Sequence, residues 1–360
     1  MSTNSVYVHI PFCDKLCNYC DFTKVLNYSK FVDKYLDALE NEMKSVYLGE
    51  KIRTIYIGGG TPSCLTITEL ERLFKILNLL NIEDDYEFTF EMNIESTTLE
   101  KLQFLKDQGV NRLSLGVQTF NDKLLKIINR SHHQLEVGRV IASAKQVGFS
   151  NISIDLMFNL PSQTESDLES DLNYFLDLEL SHISIYSLIL EEKTIFYKNS
   201  VAVDYDMFEL WYYKIKTCLE NHNYIHYETS SFCKKGFESK HNLVYWECEN
   251  YYGFGLGSSS YIDNIRSQNT TSITLYNRMN YDRESDVLTK LDQMQEYMFL
   301  GLRKTKGVCF SKFYDRFNEE ISSVFDLEKI DSNLIEITSD YIKLSNGGLV
   351  VANDVLINFV

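Results

Sequence analysis

Residues 5–20 read SVYVHIPFCDKLCNYC, a short β-rich run that leads directly into three closely spaced cysteines. Cys13, Cys17 and Cys20 follow the pattern Cys-x-x-x-Cys-x-x-Cys. Three thiolates on one short loop suit a cubic iron–sulfur cluster that leaves one iron without a cysteine ligand. A structural zinc site requires four ligands and a tighter first pair, and three incidental cysteines are the remaining alternative. This loop is the strongest candidate metal site in the chain.

Strand-like and helix-like segments alternate through the first half of the chain. Besides residues 5–10, the β-rich runs are Thr54–Ile57, Tyr86–Phe90, Arg112–Val117, Ile152–Met157 and Ile183–Leu190. Amphipathic helical patterns lie between them, as at residues 31–46 and 70–77. Six such units in series predict a parallel sheet, and the apolar strands indicate that both of its faces are covered. An open doubly wound sheet and an incomplete (β/α) barrel both satisfy this pattern.

Two helix starts and one helix end are predicted from local signals. Thr68 with Glu71, and Thr97 with Glu100, have the spacing of a capping box. Gly109 is placed to end the second of these helices.

Composition and charge exclude several classes of protein. The 360 residues carry a net charge of −16, which disfavours binding to phosphate backbones, so no nucleic-acid partner is expected. No apolar run is long enough to span a membrane, and residues 6–12 do not form a signal peptide. We therefore expect a cytoplasmic protein whose five scattered cysteines are small buried side chains.

The sequence texture changes after Gly257. Residues 258–285 are rich in Ser, Asn and Thr and predict an irregular connection, which separates a first domain at 1–257 from a second at 286–360. Residues 294–302 begin a helical region. The end of the chain, residues 341–360, predicts a strand, a turn at 346–348, a second strand and a terminal helix. This small α+β piece is winged-helix-like.

Candidate functional residues cluster where strands end. Gly58-Gly-Gly-Thr-Pro62 follows the second strand, and its glycines let a backbone approach a ligand closely, although a tight turn explains them equally well. Each of the three prolines stands just beyond a strand. In α/β sheets and barrels, chemistry gathers at the carboxyl ends of strands. Residues at successive strand ends, which should converge on one rim, are Cys13, Gly59, Glu91, Gln118 and Asp155.

Together these motifs resemble the radical S-adenosylmethionine (SAM) superfamily, and within it the family of oxygen-independent coproporphyrinogen dehydrogenase and its relatives. The matching stretches span about residues 6–270: residues 7–13, 58–62, 112–120, 129–132, 155–161 and 227–230. The resemblance implies a partial (β/α)6 TIM-type barrel with a small C-terminal accessory domain.

The resemblance also implies two cofactors and their ligands. Cys13, Cys17 and Cys20 would hold a [4Fe-4S] cluster, whose open iron would take the amino and carboxylate groups of SAM. The residues implied for the SAM site are Tyr7, Tyr19, Gly59, Gly60, Thr61, Glu91, Gln118, Arg130 and Asp155. Arg130 offers a fork for a carboxylate, and Glu91 or Asp155 can accept from an amine or from ribose hydroxyls. No residue is singled out as catalytic.

A second motif resembles the haem chaperones of this family. It reads HNLVYW at residues 241–246, and His241 with Tyr245 and Trp246 would offer an imidazole to iron and aromatic area to a macrocycle. Ordinary core packing is the competing explanation. Ser259 departs from the pattern, because these chaperones usually have histidine there.

Two functions follow, a haem carrier and an enzyme. The carrier would bind haem and pass it to an acceptor haem protein, at the inner face of the membrane with peripheral contact only. The enzyme, a coproporphyrinogen III dehydrogenase, would use a reduced cluster and SAM for oxidative decarboxylation of propionates; either would need an electron donor for the cluster. Phe22 occupies the position of that enzyme's fourth cysteine, and only six residues precede Tyr7, where the enzyme has a long segment. Both departures favour the carrier.

Overall fold

The computed structural model describes residues 3–26 and 28–360, and its first half consists of six strand–helix units. The strands are β1 (Ser5–Ile10), β2 (Lys51–Gly59), β3 (Asn81–Asn93), β4 (Arg112–Gln118), β5 (Asn151–Phe158) and β6 (His182–Ser187). The helices are α1 (Val32–Val46), α2 (Ile67–Leu77), α3 (Leu99–Asp107), α4 (Asp122–Ile127), α5 (Gln134–Val147) and α6 (Glu165–Asp177). All six predicted strands and the two predicted amphipathic helices are confirmed.

The six strands form a curved parallel sheet in sequential order, which is the partial (β/α)6 barrel expected from the resemblance. The outward faces pack on the helices in one large apolar core. The inward faces are polar, whereas we expected strands that are apolar at nearly every residue. On β4, for example, Arg112, Ser114 and Gly116 alternate into the interior and line its cavity. The interior is therefore built to hold polar groups.

Helix boundaries differ slightly from the sequence-based expectations. The capping box of α2 is Thr66 with Glu69, two residues before the predicted pair. Helix α3 is capped by Thr98, one residue after the predicted Thr97. Both shifts have one cause: several hydroxyl residues precede each helix, and the turn that leaves the strand selects which of them reaches the free N–H groups. Gly109 ends α3 with a φ of +86°, as predicted.

The segment after β6 adds strands to both edges of the sheet. Its elements are α7 (Ile195–Lys198), α8 (Phe208–Asn221), β7 (Ile225–Glu228), β8 (Ser231–Cys233), α9 (Lys240–Trp246) and β9 (Tyr252–Phe254). Strand β8 pairs with β6 and β9 pairs with β1, so the sheet extends to nine strands. Helix α9 begins where the Glu87 carboxylate accepts from the Lys240 and His241 N–H groups, at 2.9 and 3.0 Å.

The predicted irregular connection at 258–285 instead contains short strands and a short helix, joined by irregular segments. Strands β10 (Ser259–Ile262), β11 (Ile265–Gln268) and β12 (Glu284–Val287) form an antiparallel sheet, with helix α10 (Ile273–Tyr276) between the last two. A two-residue turn joins β10 to β11, and Asp263 takes the left-handed φ of +57° that such a turn favours. The strands have four residues each, too short for a clear alternation in the sequence.

The C-terminal residues have their own apolar core. They form α11 (Lys290–Gly301), β13 (Val308–Cys309), α12 (Phe310–Phe317), α13 (Ile321–Val324), β14 (Ile335–Ile337), β15 (Tyr341–Leu344), α14 (Asn346–Val350) and α15 (Ala352–Leu356). The predicted helix at 294–302 is confirmed within α11.

The predicted turn and second strand after β15 are wrong, because a helix starts there. Ser345 caps α14 by accepting from the Gly348 N–H at 3.0 Å. Gly348 also packs so closely on Leu334 that any side chain at position 348 would clash with the Leu334 carbonyl. Among residues 3–26 and 28–360, no helix is both long and apolar enough to cross a bilayer.

Candidate functional site at the carboxyl rim of the barrel

A cavity of about 350 Å³ opens at the carboxyl ends of the barrel strands. Eleven of the twelve residues predicted for the cluster and the SAM site line it: Cys13, Cys17, Cys20, Tyr19, Gly59, Gly60, Thr61, Glu91, Gln118, Arg130 and Asp155. They come from loops and strands spread over 143 residues of sequence, and the parallel strands bring them to one rim. The volume falls in the range of small-molecule sites.

Tyr7 is the twelfth residue and lies just beneath the cavity lining. Its hydroxyl is 2.9 Å from the His9 Nδ1, and its ring packs 6.1 Å from that of Tyr56, centroid to centroid. The other ring nitrogen of His9 meets the Thr23 carbonyl at 2.8 Å. Tyr7 and His9 thus tie the first strand to the far end of the cysteine loop.

The cysteine loop is held in place mainly by hydrogen bonds to the end of α4. Asn18 donates through its side chain to the Ile127 carbonyl at 2.8 Å, and Asn129 donates to the Leu16 carbonyl at 2.7 Å. Lys24 closes the loop by donating to the Cys20 carbonyl at 2.5 Å. These contacts fix the backbone while leaving the thiols directed into the cavity.

The three thiols have different surroundings. Thr61 Oγ1 approaches the Cys13 Sγ at 3.6 Å, and Arg130 Nη1 approaches the Cys17 Sγ at 3.9 Å. Burial raises the pKa of Cys13 to about 11, so ligation there must displace a proton. Within the described residues no three His, Cys, Asp or Glu side chains converge as on a single metal ion. A cubic cluster does not need such convergence, because each thiolate binds a different iron.

The glycine run after β2 gives the cavity a smooth wall. A Cβ at Gly60 would stand 2.8 Å from the carbonyl oxygens of Pro11 and Phe12, and one at Gly59 would meet the His9 ring at 2.7 Å. Gly59 also has a φ of +115°, which favours glycine. Its N–H donates to Glu91 Oε2 at 3.0 Å. The run is therefore fitted to the backbone around it and presents main-chain atoms to a ligand.

Two carboxylates, Glu91 and Asp155, lie in the cavity on strands β3 and β5. The Tyr56 hydroxyl donates to Glu91 Oε1 at 2.6 Å, and Ser114 Oγ donates to Asp155 Oδ1 at 3.4 Å. Burial raises the pKa of Glu91 to about 7 and that of Asp155 to about 6. Buried carboxylates that face a cavity can accept hydrogen bonds from amino or hydroxyl groups of a ligand.

Gln118 and Arg130 complete the rim. Gln118 has a φ of +71° where the β4–β5 register shifts, so its backbone is strained at the cavity wall. Arg130 donates through Nη2 to the Gly116 carbonyl at 2.7 Å and pairs with Glu95 at 3.1 Å. Its Nε has no partner among the described residues.

Sequence reasoning missed several polar residues of the cavity. They are Tyr56, Asn93, Arg112, Ser114, Ser184, Tyr186 and Asn242. The signal was present in the strands: Ser153 and Asp155 alternate with isoleucines in β5, and Arg112 and Ser114 alternate with leucines in β4. Such period-two alternation indicates one polar face, which in a barrel is the interior.

The HNLVYW motif forms helix α9, and its histidine is closed off from the cavity. His241 is fully buried; its Nδ1 lies 2.9 Å from Thr54 Oγ1, and its Nε2 lies 2.8 Å from the Tyr245 hydroxyl. Since Thr54 already donates to Ser5, these contacts fit a neutral imidazole protonated on Nδ1. Burial lowers the pKa of His241 to about 3.

The other predicted haem residues do not join His241 on an open surface. Trp246 packs under the Arg303 guanidinium of the C-terminal domain, 5.7 Å from the ring centre. Asn242, the second residue of the motif, is the one that lines the cavity. Ser259 is half-buried at the start of β10, outside the cavity lining. The haem role of these residues stays a prediction.

The partial barrel, the cysteine loop and the glycine wall together define a radical SAM protein. The family model for the radical SAM superfamily matches residues 7–175, and the model for the HemN C-terminal domain matches residues 288–351. Membership of that superfamily implies a [4Fe-4S] cluster and SAM.

Within the superfamily, the chain belongs to the HemW family. It is 41% identical to the haem chaperone HemW of Lactococcus lactis, over 99% of this chain and 97% of that protein. It is 40% identical to the haem chaperone HemW of Bacillus subtilis, with 98% and 97% covered. The fold is that of coproporphyrinogen III oxidase (HemN) from Escherichia coli, with a TM-score of 0.86, 22% identity, and 99% of this chain and 90% of that chain covered.

Proposed function

We propose that this protein is a haem chaperone, which binds haem and transfers it to an acceptor haem protein. The observation that carries the proposal is the similarity to HemW chaperones along almost the whole chain, at 41% and 40% identity. Phe22 supports it, since the dehydrogenase that this family resembles has a cysteine there. A [4Fe-4S] cluster and SAM are the resident cofactors, and haem is the cargo.

The cofactors would be held at the carboxyl rim. Cys13, Cys17 and Cys20 would ligate the cluster, and their loop is already anchored by hydrogen bonds that leave the thiols facing the cavity. When bound, the cluster would supply an open iron site and electrons, and SAM would supply a cationic sulfonium. Gly59 and Gly60 would present main-chain atoms to SAM, because both line the cavity without a side chain.

The rim side chains would orient SAM. Glu91 and Asp155 would accept from its amino group or ribose hydroxyls, and Arg130 would direct its free Nε toward the carboxylate. Gln118 would contribute an amide, held by a strained backbone, to the same cavity. The smaller contributions of Tyr7, Tyr19 and Thr61 are to close the floor and wall around these groups.

The haem part of the proposal involves helix α9. His241 would ligate iron through Nε2, which requires the Tyr245 hydroxyl to move away from that nitrogen. Tyr245 and Trp246 would then cover the macrocycle. This opening step makes the haem motif a latent site, closed in the structure described here.

An anaerobic haem titration followed by the Soret band tests the proposal. We expect wild-type protein with a reconstituted cluster to saturate near one haem per chain. His241→Ala should abolish the band, whereas Tyr245→Phe should strengthen binding, since it frees Nε2 and leaves the imidazole in place. His222→Ala changes an exposed histidine and should have no effect.

The titration distinguishes whether the protein binds haem at all from whether His241 is the haem ligand. If wild type forms no specific haem complex, the chaperone proposal fails, and release of CO2 from coproporphyrinogen III should be assayed next. If haem binds but neither His241→Ala nor Tyr245→Phe alters it while both variants stay folded, the carrier stands and the haem lies elsewhere. Transfer to apomyoglobin then measures whether bound haem is passed on.

A further inference from the structure

Arg112 is a buried cation in the middle of the barrel. Its side chain is 2% exposed, and its Nη1 makes one long hydrogen bond, to Thr89 Oγ1 at 3.5 Å. Its Nε has no partner, and within residues 3–26 and 28–360 no carboxylate oxygen lies within 4.0 Å of the guanidinium. Removing a guanidinium from water without a close partner is costly. Such a cost is expected where the charge serves a site.

The strand register places Arg112 deeper in the barrel than the carboxylates of Glu91 and Asp155. Arg112 and Ser114 occupy successive inward positions on β4, the strand between β3 and β5. Ser114 is level with Glu91 on β3, and the next inward position, Gly116, is level with Asp155 on β5. All of these residues line the same cavity. The guanidinium therefore lies below the carboxylates, between the strands that carry them.

Arg112 supplies positive charge to the two carboxylates of the cavity. Arg130, the other arginine of the cavity, is already paired with Glu95. The Asp155 carboxylate raises the pKa of Glu91 further, because a neighbouring like charge disfavours ionisation. Arg112 opposes this effect, because its positive charge lowers the pKa of both carboxyls against the rise caused by burial. Glu91, Asp155 and Arg112 together carry a single net negative charge. Arg130 also lowers the pKa of Asp155, and Lys15, Asp21 and Lys24 line the same cavity.

We propose that Arg112 is a positioning residue that keeps Glu91 and Asp155 ionised together, so that the cavity selects a ligand with a net positive charge. This inference deepens the proposed function and rests on it, since SAM carries two positive groups and one carboxylate. The chemical class selected is a sulfonium or ammonium ligand. Arg112 acts through the carboxylates and does not itself contact the ligand.

Other titratable groups also face this region from the surrounding elements. They are Tyr7 on β1, Tyr56 on β2, His182 and Tyr186 on β6, Tyr227 and Glu228 on β7, and His241 and Tyr245 on α9. Burial raises the pKa of each tyrosine and lowers that of each histidine, so the tyrosines and histidines are neutral at pH 7. Burial also raises the pKa of the Glu228 carboxyl, which accepts a hydrogen bond from Thr229 Oγ1 at 3.4 Å. Glu87, lower in the barrel, is bound to the start of α9.

SAM affinity as a function of pH tests the inference. Calorimetric titration from pH 5.5 to 9 on cluster-loaded protein should show wild-type affinity falling as the pH drops below about 7. Arg112→Met should move that midpoint upward by about one pH unit and recover most of the affinity at pH 9. Arg112→Lys should keep the wild-type midpoint. Loss of affinity by the same factor at every pH would mean a structural role only and would overturn the proposal.

A second measurement works without any ligand. Infrared titration of ligand-free protein should reveal a protonated carboxyl band that persists to higher pH in Arg112→Met than in wild type. The band should be lost again in Arg112→Met combined with Glu91→Gln and Asp155→Asn. If wild type binds no SAM, the proposed function fails, yet this titration still decides the role of Arg112. An unshifted band would refute it.

Discussion

The carboxyl rim of the barrel and helix α9 both carry titratable side chains into the interior, but they differ in how their polar atoms are satisfied. At the rim, Glu91, Asp155 and Arg112 face a cavity, and the backbone of Gln118 is strained. In α9, both ring nitrogens of His241 have partners inside the protein and the ring is fully buried. The rim is organised as a binding site, and α9 as described is organised as an anchor.

A binding residue and a structural residue differ in whether their polar atoms still have hydrogen-bonding capacity for a ligand. An open donor or acceptor at a cavity costs stability and signals that something else completes it. A neutral imidazole has one donor and one acceptor, so His241, with both in use, can bind a ligand only after a pair breaks. A carboxylate oxygen of Glu91 can accept a second hydrogen bond beside the one it already has. Substitutions at the rim should therefore alter SAM binding with little change in stability, whereas substitutions in α9 should lower stability in addition to any effect on the proposed haem binding.

The largest effect is expected at the cysteine loop. Cys17→Ser should remove the cluster completely, because one of only three cysteine ligands is lost. Folding should change little, since the loop backbone is held by Asn18 and Asn129 and not by the thiol. Iron content and visible absorption after anaerobic reconstitution measure the loss. Cys309→Ser, in the C-terminal domain, is the control and should retain a full complement of iron; equal loss in both variants would contradict a cluster on this loop.

At α9 the expected loss is in stability. His241→Ala should lower the free energy of unfolding by about 2–4 kcal/mol, because it leaves a cavity and strips Thr54 and Tyr245 of their partner. Urea unfolding followed by circular dichroism measures it. His222→Ala, at an exposed position, should change the free energy by less than about 0.5 kcal/mol. Equal stability of the two variants would mean that α9 is not an anchor.

The two regions should also respond to pH with opposite signs. Glu91 has a pKa of about 7 in the fold and near 4.5 when unfolded, so the folded state binds this proton more tightly. Its contribution to stability is complete below about pH 4.5 and is lost as the pH rises through about 7. His241 has a pKa of about 3 in the fold against 6.5 unfolded, so its contribution is lost as the pH falls from 6.5 toward 3.

Unfolding free energies between pH 4.5 and 8 separate these contributions. Glu91→Gln removes the contribution of the Glu91 proton. The free energy of unfolding of this variant should therefore rise relative to that of wild type as the pH increases. Because His9, His182 and His226 also have lowered pKa values, the acid side of the profile should stay in His241→Ala with a smaller slope. Profiles that run parallel in wild type and Glu91→Gln would show that burial does not strain this carboxylate.

Much of the fold was predictable because each unit follows local rules. The six strands and the helices between them show periodicities that span a single element, and strand ends meet at one rim in any parallel sheet. The exact caps were less certain, because Thr66 and Thr68 both precede a glutamate at the right spacing. The short strands of β10–β12 gave no usable period.

It was harder to predict which candidate side chains are open to a ligand and which are closed off in the core. The cysteine pattern and the resemblance named residues that the fold brings to one cavity. Residue type alone could not distinguish Glu91, which faces that cavity, from His241, which is closed off. The partner of His241 Nδ1 is Thr54, 187 residues away in the chain. Pairing at that distance depends on how α9 packs into the finished barrel, which no local pattern encodes.

A change of only about 1 kcal/mol in stability is expected at Gln118, on the rim itself. Gln118 has a φ of +71°, a conformation in which a Cβ costs about 1 kcal/mol. Gln118→Gly should therefore stabilise the protein by about 1 kcal/mol while it weakens SAM binding by roughly threefold to tenfold through loss of the amide. Stability and binding are read from urea unfolding and calorimetric titration.

Glu179→Gly is the matched control for this trade-off. Glu179 has a φ of +49° on an exposed turn after α6, outside the cavity. It should gain a similar stability and leave SAM affinity unchanged. If Gln118→Gly gains stability with full affinity, the strain at the rim is incidental. If it loses both, Gln118 packs as part of the core, and the distinction between an open rim and a closed anchor would fail at this residue.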